Sequence, residues 1–264
     1  MFNLIHADLY SLRKSNAVRI AFCITCLTAA AMVIISYFMA KGSISSEISG
    51  NASALCDPMV MSMVGSLIAG IFICGDFQNK TIHDAIAGGC GRSTVLISKA
   101  ISYFIVIAVM LLPYAIATVI AFATGSEFMP YLYTAFFDIL ANASGMDLTA
   151  EVFLKITAIS VTLMIVYAAQ LSICVLFSFL LKRPTLVVAL GIGSIMLITM
   201  VMGLGDDFEI IESILSLTPF AMNYPTISME AAAGDLIKAI SSSLGFILLI
   251  LGVTYAGFRK AEIK

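Results

Sequence analysis

Long apolar runs separated by short polar segments make up most of this 264-residue sequence. An α-helix needs about 20 mostly apolar residues to cross a bilayer, and six runs approach or exceed that length. These runs cover residues 18–39, 59–74, 101–123, 156–181, 185–204 and 237–258. The pattern predicts an all-α protein with six transmembrane helices, in which residues 1–264 form a single transmembrane domain.

The polar segments between the runs differ in kind. Residues 1–16 carry apolar side chains at the spacing of one helix face, which predicts an amphipathic helix on the membrane surface. Those side chains are Phe2, Ile5, Leu9 and Leu12. Residues 76–98 form the one sizeable loop on the side of the termini. Residues 205–236 lie on the opposite side, where an apolar stretch precedes Pro219 and Pro225, and they are a candidate re-entrant segment.

The composition supports a membrane location and the charges give an orientation. Hydrophobic residues are 61% of the chain and charged residues 11%, whereas soluble domains are about half apolar and a quarter charged. A soluble domain is therefore excluded. All Lys and Arg residues except Lys41, Lys155 and Lys238 fall on the side of the termini. Since basic loops stay in the cytoplasm, we predict cytoplasmic termini in an inner (plasma) membrane protein.

Ionisable groups are scarce in the predicted helix centres. Gln170 is the most polar side chain in the middle of a span, while Asp57 and Asp76 bracket the second span. Proton and ion pathways usually use ionisable groups within the membrane. The pattern therefore disfavours a proton-coupled carrier or an ion channel.

No motif for catalysis, metal binding or nucleotide binding is present. The only histidines are His6 and His83, and Cys23 and Cys26 form a lone pair within an apolar helix, where packing explains them better than metal or redox chemistry. The glycine-rich residues 88–93 do not match the P-loop pattern. We therefore expect no enzyme activity, cofactor or metal on this chain, and any ATP would be bound by another polypeptide.

The loop at residues 75–99 predicts a short helix on the cytoplasmic face. Asn79 or Thr81 is a candidate N-cap, with Asp84 in the first turn. Ile82, Ala85 and Ile86 form one apolar edge, residues 88–91 end the helix, and Ser93 or Thr94 begins the next one. Such a helix suits docking into a groove of a partner protein, although an ordinary surface turn explains the same residues.

The loop resembles that of the ABC-2 family of ABC transporter permeases. In that family the loop commonly runs acid-aromatic-x-x-Gly-Thr-Ile, then a short helix, then Gly-x-x-Arg and a Ser-Lys pair. The matching residues here are Asp76, Phe77, Thr81, Ile82, Gly89, Arg92, Ser98 and Lys99. Residues 7–15 are similar to the start of family members. The sequence departs from the family at Lys80, where glycine is usual, and at Gly91, where serine is common.

The resemblance implies a permease subunit of an exporter. A second copy or a homologous permease would pair with this chain in the bilayer, and two separate ATPase subunits would bind ATP and Mg; no nucleic-acid partner is implied. The loop at residues 76–98 would couple ATPase closure to the membrane helices. The implied coupling residues are Asp76, Phe77, Thr81, Ile82, His83, Ile86 and Arg92. Residues 208–227 would correspond to extracellular re-entrant helices.

The resemblance also places spans two and five near the dimer axis. Small residues at every fourth position of span two allow close helix approach, at this axis or within one bundle. The candidate pathway or axis residues are Met59, Ser62, Met63, Ser66, Gly70, Met196 and Met200. An outer acid cluster could attract cationic peptides or form a solvated surface; it comprises Asp206, Asp207, Glu209 and Glu212. An uncharged pathway favours an amphipathic or apolar cargo, such as a peptide antibiotic.

Other functions fit parts of the same pattern. A stand-alone secondary carrier or channel would have the same apolar helices but depend on an ion gradient rather than on an ATPase. A membrane enzyme would need clustered His, Asp, Glu or Ser residues in the spans, which the sequence does not provide. A membrane immunity or scaffold protein would share the sequence features of a permease.

Overall fold

A computed structural model of the chain describes residues 1–43, 56–124, 135–136, 139, 149–203, 218–220 and 231–260. These residues fold into α-helices and contain no β-strand. The helices are α1 (Phe2–Lys14), α2 (Asn16–Ala40), α3 (Asp57–Ala69), α4 (Gly75–Gln78), α5 (Thr81–Ala87), α6 (Arg92–Ala123), α7 (Ala150–Leu181), α8 (Pro184–Gly203) and α9 (Ala233–Lys260). A five-residue π segment, Gly70–Cys74, joins α3 directly to α4.

Five helices in the described part of the chain are long and apolar enough to cross a membrane. They are Asn16–Ala40, Asp57–Gln78, Arg92–Ala123, Ala150–Leu181 and Ala233–Lys260. The predictions of an all-α fold and of a multi-pass membrane protein agree with these helices. The apolar stretch Pro184–Ile198 of α8 is shorter, so the count of six spans stays a prediction. The interfacial position of α1 and the orientation of the termini also stay predictions.

The continuous helix Asp57–Gln78 is the most buried of the five, because α6, α7 and α8 all pack against it. Small residues permit this close packing. A side-chain carbon added to Gly65 would lie 2.7 Å from Leu171 on α7, and one added to Gly70 would lie 3.1 Å from the carbonyl oxygen of Pro184 at the start of α8. The Tyr103 hydroxyl of α6 donates a 3.0 Å hydrogen bond to the Gly65 carbonyl. The core therefore forms around span two.

Each of the six apolar helices begins before the start of the corresponding predicted span. α6 begins at Arg92 and α7 at Ala150, several residues before the predicted starts at 101 and 156. Polar residues can continue a helix beyond the apolar run that crosses the bilayer, because helix hydrogen bonds are made by the backbone alone. Hydropathy therefore locates the apolar part of each helix but not its full length.

Candidate functional site

A buried group of charges joins three helices at the end of the bundle that carries the loop. The Lys99 ammonium of α6 lies 2.6 Å from Oδ1 of Asp8 on α1 and also contacts Oδ2 of Asp76 on α4. The Ser98 hydroxyl donates a 3.2 Å hydrogen bond to the second oxygen of Asp8. The Asp8 and Lys99 side chains are buried and that of Asp76 is mostly so. Charges this far from water persist because they pair with one another.

The positions of Asp8 and Asp76 along their helices explain how these charges come together. Asp8 and Leu12 lie one turn apart on the buried face of α1. Asp76 follows the π segment Gly70–Cys74 within the same continuous helix. A π turn contains an extra residue, so it changes which later residues share a face with the earlier ones. Such turns occur frequently at functional sites, and this one directly precedes the candidate coupling residues.

Phe77 anchors the start of the loop in an aromatic cluster. Its ring lies edge-on to Phe179 at 5.5 Å and to Phe258 at 6.1 Å between centroids, and those two rings are 5.0 Å apart. His83 contacts the same ring at 6.4 Å. Edge-to-face pairs of this kind stabilise beyond their buried area. Phe77 thereby ties α4 to the ends of α7 and α9.

The predicted loop helix exists as α5, and its ends are formed by unusual backbone geometry. The N-cap is Lys80, in the left-handed region with φ of 61°, so the prediction of Asn79 or Thr81 as the cap is wrong. At the other end Gly89, with φ of 92°, donates to the Ile86 carbonyl and Cys90 donates to the Ala85 carbonyl. This pair of bonds is a Schellman motif, so the predicted glycine stop is confirmed.

The apolar edge of α5 faces the protein itself. Ile82 is 1% exposed within the core, and Ala85 and Ile86 pack against that core. Ile82 therefore cannot belong to a docking edge, because its side chain is already covered by the same chain. Thr81 and Asp84 are exposed and Asp84 lies in the first turn, as predicted. A partner that meets α5 would contact this polar side.

Arg92 binds the end of the last helix. Its Nη1 donates to the carbonyl oxygens of Phe258 at 3.1 Å and Arg259 at 2.7 Å, and the guanidinium lies 5.8 Å from the Phe258 ring centroid. The last carbonyls of a helix lack partners within the helix and carry partial negative charge. Arg92 satisfies two of them, and it is the first residue of α6, whereas Ser93 or Thr94 was the predicted start.

The predicted pathway residues separate into two groups. Ser62, Ser66 and Gly70 are buried inside the single chain, and a side-chain carbon added to Gly191 of α8 would lie 2.3 Å from Ser66 Oγ. The small-residue stripe thus mediates packing within one bundle. Three of the methionines lie on the outside of the bundle: Met63, Met196 and Met200 are 46%, 48% and 72% exposed. Met59 is half-buried. The acids Asp206, Asp207, Glu209 and Glu212 lie outside the described residues.

Asp57 is a buried acid, although the sequence pattern put it at the edge of the second span. Asp57 is 1% exposed, and its Oδ2 accepts hydrogen bonds from the Tyr167 hydroxyl at 3.0 Å and from the backbone N–H of Phe136 at 3.2 Å. The Phe136 ring stacks between Tyr167 and Tyr114, at 6.4 and 6.3 Å. The apolar run that follows Asp57 suggested a helix end, but burial depends on contacts far away in sequence.

Gln170 also makes a contact that its sequence position did not predict. Its side-chain amide donates a 2.9 Å hydrogen bond to the Pro219 carbonyl, and the neighbouring Phe220 ring meets Phe246 of α9 at 5.9 Å. A short piece of the candidate re-entrant segment therefore reaches the interior of the bundle. Residues 205–217 and 221–230 of that segment lie outside the described residues.

A scan against models of protein families gives no match, and a search of curated proteins gives none either. Within the described ranges, no group of three or more His, Cys, Asp or Glu side chains is placed to hold a metal ion. The arrangement can transmit movement between the loop and the helices. Charged, aromatic and carbonyl contacts join the loop to the ends of α1, α6, α7 and α9, so a displacement of the loop would move several helices together.

Proposed function

We propose that this chain is the permease subunit of an ATP-driven ABC exporter of the ABC-2 type. It would pair with a second copy or a homologous permease and with two separate ATPase subunits. The observation that carries the proposal is the attachment of the residues just before α5 to other helices. Asp76 and Phe77, just before this capped helix, are fastened to α6, α7 and α9. A short helix held in this way transmits a push on its exposed side as rigid-body motion.

The proposed arrangement in the inner membrane has six spans, cytoplasmic termini and α1 along the cytoplasmic surface. The hydropathy pattern supports six spans, with α8 as the fifth. The side of the termini carries most of the Lys and Arg residues, which supports the orientation. Exposed Phe2 and Tyr10 on α1 would enter the interface, where amphipathic residues bind favourably.

The proposed cargo is amphipathic or apolar, such as a peptide antibiotic moved outward. One feature supports this class. The exposed methionines Met63, Met196 and Met200 offer an adaptable and polarizable surface.

The bond from Gln170 to Pro219 supports a re-entrant extracellular segment, because Gln170 lies eleven residues, about 16 Å of helix, before the end of α7 at Leu181. That distance is about half the hydrocarbon thickness of a bilayer.

The test is to purify the tagged protein from its native membranes in mild detergent and identify the proteins that accompany it. We expect an ATPase with a P-loop. Thr81→Arg and Asp84→Arg change exposed residues of α5 and should remove the ATPase, whereas Lys260→Glu, an exposed change outside the loop, should retain it. Retention of the ATPase by both α5 variants would refute the role of α5, and absence of any ATPase would refute the permease.

A proton-coupled carrier is a second candidate, and Asp57 favours it. A buried acid without a basic partner among the described residues is the type of group that carries protons in membranes. The two functions separate in proteoliposomes that contain this chain alone. Transport that collapses with the proton gradient and is lost in Asp57→Asn would establish the carrier. Transport that requires added ATPase and ATP would establish the exporter.

A further inference from the structure

Phe136 lies between α6 and α7 in the chain, yet residues from three helices hold it inside the bundle. Its backbone N–H donates to Oδ2 of Asp57 on α3 at 3.2 Å. Its ring stacks on Tyr114 of α6 and Tyr167 of α7, with centroids 6.3 and 6.4 Å away. Its carbonyl oxygen lies 3.4 Å from the hydroxyl of Thr118. The helices therefore contact this residue through both its ring and its backbone.

The walls around Phe136 are fixed by bonds that do not involve Phe136 itself. The Tyr114 hydroxyl shares a 2.7 Å hydrogen bond with the hydroxyl of Thr28 on α2. The Tyr167 hydroxyl donates to Asp57 at 3.0 Å. The two aromatic walls and the carboxylate can therefore keep their positions when another group takes the place of Phe136. A site that is organised in advance binds a ligand at a lower entropic cost.

The acid of this site is poorly matched by the residue that occupies it. Asp57 is buried and forms no ion pair with a base in the described part of the chain. Its Oδ1 is also buried and has no hydrogen-bond partner among the described residues. Phe136 supplies one neutral N–H, whereas a buried carboxylate is best stabilised by a positive charge and several donors.

An ammonium group would supply what the backbone N–H of Phe136 lacks. It carries a positive charge and three donors in place of one, so it can bond to both oxygens of Asp57. An aromatic ring beside that ammonium would take the position of the Phe136 ring between Tyr114 and Tyr167. The site is therefore more complementary to an aromatic cation than to the residue that fills it.

We propose that Asp57, Tyr114 and Tyr167 form a binding site for a primary ammonium group that lies two carbons from an aromatic ring. This chemistry belongs to the N-terminal aromatic residue of a peptide and to a free aromatic amine. Phe136 is an internal competitor, and the ligand replaces it. The site is a property of one chain and does not depend on the proposed export function.

The test measures binding of 2-phenylethylamine and 2-phenylethanol to the detergent-purified protein by isothermal titration calorimetry. The two probes have nearly the same shape, but only the amine carries a charge. We expect the unmodified protein to bind the amine about tenfold more tightly, because a hydrogen bond to a charged group contributes more than a neutral one. Equal affinity for the two probes, or no binding of the amine, would overturn the proposal.

Two acid variants separate this site from general attraction of a cation. Asp57→Asn keeps the shape of the side chain and removes its charge, so the ratio of the two affinities should fall to about one. Glu151→Gln removes an exposed acid of α7 and should leave the ratio unchanged. The ratio is measured on one preparation, so a smaller folded fraction does not change it. An equal loss in both variants would overturn the site.

The role of Phe136 as competitor has its own pair of variants. Phe136→Ala removes the competing ring and should strengthen binding of the amine by about tenfold or more. Phe179→Ala removes another buried ring, twelve residues or about 18 Å of helix beyond Tyr167 on α7, and should leave the affinity unchanged. Equal affinity of Phe136→Ala and the unmodified protein would show that the ligand does not replace Phe136 and would overturn the proposal.

A competition experiment distinguishes the two sources of the ligand. The competitor is a tripeptide amide that begins with phenylalanine and continues with two alanines. Displacement of bound 2-phenylethylamine by this peptide identifies a peptide N-terminus as the ligand. Retention of the amine identifies a free aromatic amine, because the site then has no room for a chain beyond the first residue. Both outcomes support the site that the preceding measurements establish.

Discussion

The side-chain amide of Gln170 donates a 2.9 Å hydrogen bond to the carbonyl of Pro219, 49 residues later in the chain. A proline has no N–H to offer, but its carbonyl still needs a donor when it is buried. Gln170 supplies that donor from the middle of α7. The most polar side chain in the centre of a span therefore serves to hold a loop segment inside the bundle.

Removing this donor should loosen the segment around Pro219. Gln170→Leu leaves the Pro219 carbonyl without its partner, at a cost of about 1–2 kcal/mol. With the native cysteines replaced, a cysteine introduced at Thr218 should react faster with a water-soluble maleimide in Gln170→Leu. Met164→Leu, a volume-conserving change on the same helix, should leave the rate unchanged. Equal rates in all three proteins would contradict a holding role for Gln170.

The Lys99 ammonium should be indispensable to the charged group that it joins. Lys99→Met leaves Asp8 and Asp76 buried without a positive partner, which should destabilise the protein by about 3–5 kcal/mol. The combination of Lys99→Met with Asp8→Asn and Asp76→Asn removes the charges altogether and should recover most of that loss. Thermal unfolding in detergent measures both effects. A triple variant as unstable as Lys99→Met would show that packing, rather than charge, explains the loss.

Close packing between α3 and α8 should require a small residue on each side. Gly191→Ala places a carbon against Ser66 Oγ and should cost about 1–3 kcal/mol. Ser66→Gly in the same protein should relieve much of the cost. Gly193 lies on the same helix with open space beside it, so Gly193→Ala should have little effect. Equal melting temperatures of the two single alanine variants would contradict the packing.

Both ends of α5 should favour glycine, because both have a residue with positive φ. Lys80 adopts φ of 61°, a conformation that glycine reaches without the steric cost of a side chain. Lys80→Gly should therefore be neutral or stabilise by up to about 1 kcal/mol. Gly89→Ala forces a side chain into φ of 92° and should destabilise by about 1 kcal/mol or more. Thermal unfolding tests the pair, and a loss of stability in Lys80→Gly would contradict the strain.

Local features of the fold were predictable from the sequence. Hydropathy located the apolar part of each long helix, and the glycines at residues 88–91 gave the end of α5, because both signals depend on neighbouring residues alone. The sequence did not indicate the N-cap of α5, because the left-handed residue is Lys80. A glycine at this position would have predicted the left-handed turn. The count of six spans, the cytoplasmic termini and the coupling role remain predictions.

Long-range packing was the part that the sequence could not provide. The apolar edge of α5 was recognised, but a pattern of apolar residues does not say whether Ile82 meets its own chain or a partner. The burial of Asp57 depends on Phe136 and Tyr167, which are 79 and 110 residues away. The same applies to the stripe at Ser66, since a small-residue pattern serves a dimer axis and an internal contact equally well.

Biosynthesis gives the charged group at Lys99 a fixed order of assembly. Asp8 and Asp76 both precede Lys99 in the chain, so a ribosome completes α1, α2, α3 and α4 before the shared base is made. Until then α1 lacks the positive charge that holds Asp8 in its buried position. Stable attachment of α1 to the bundle must therefore await the first turns of α6, and a nascent chain halted before residue 99 would leave the N-terminal helix undocked.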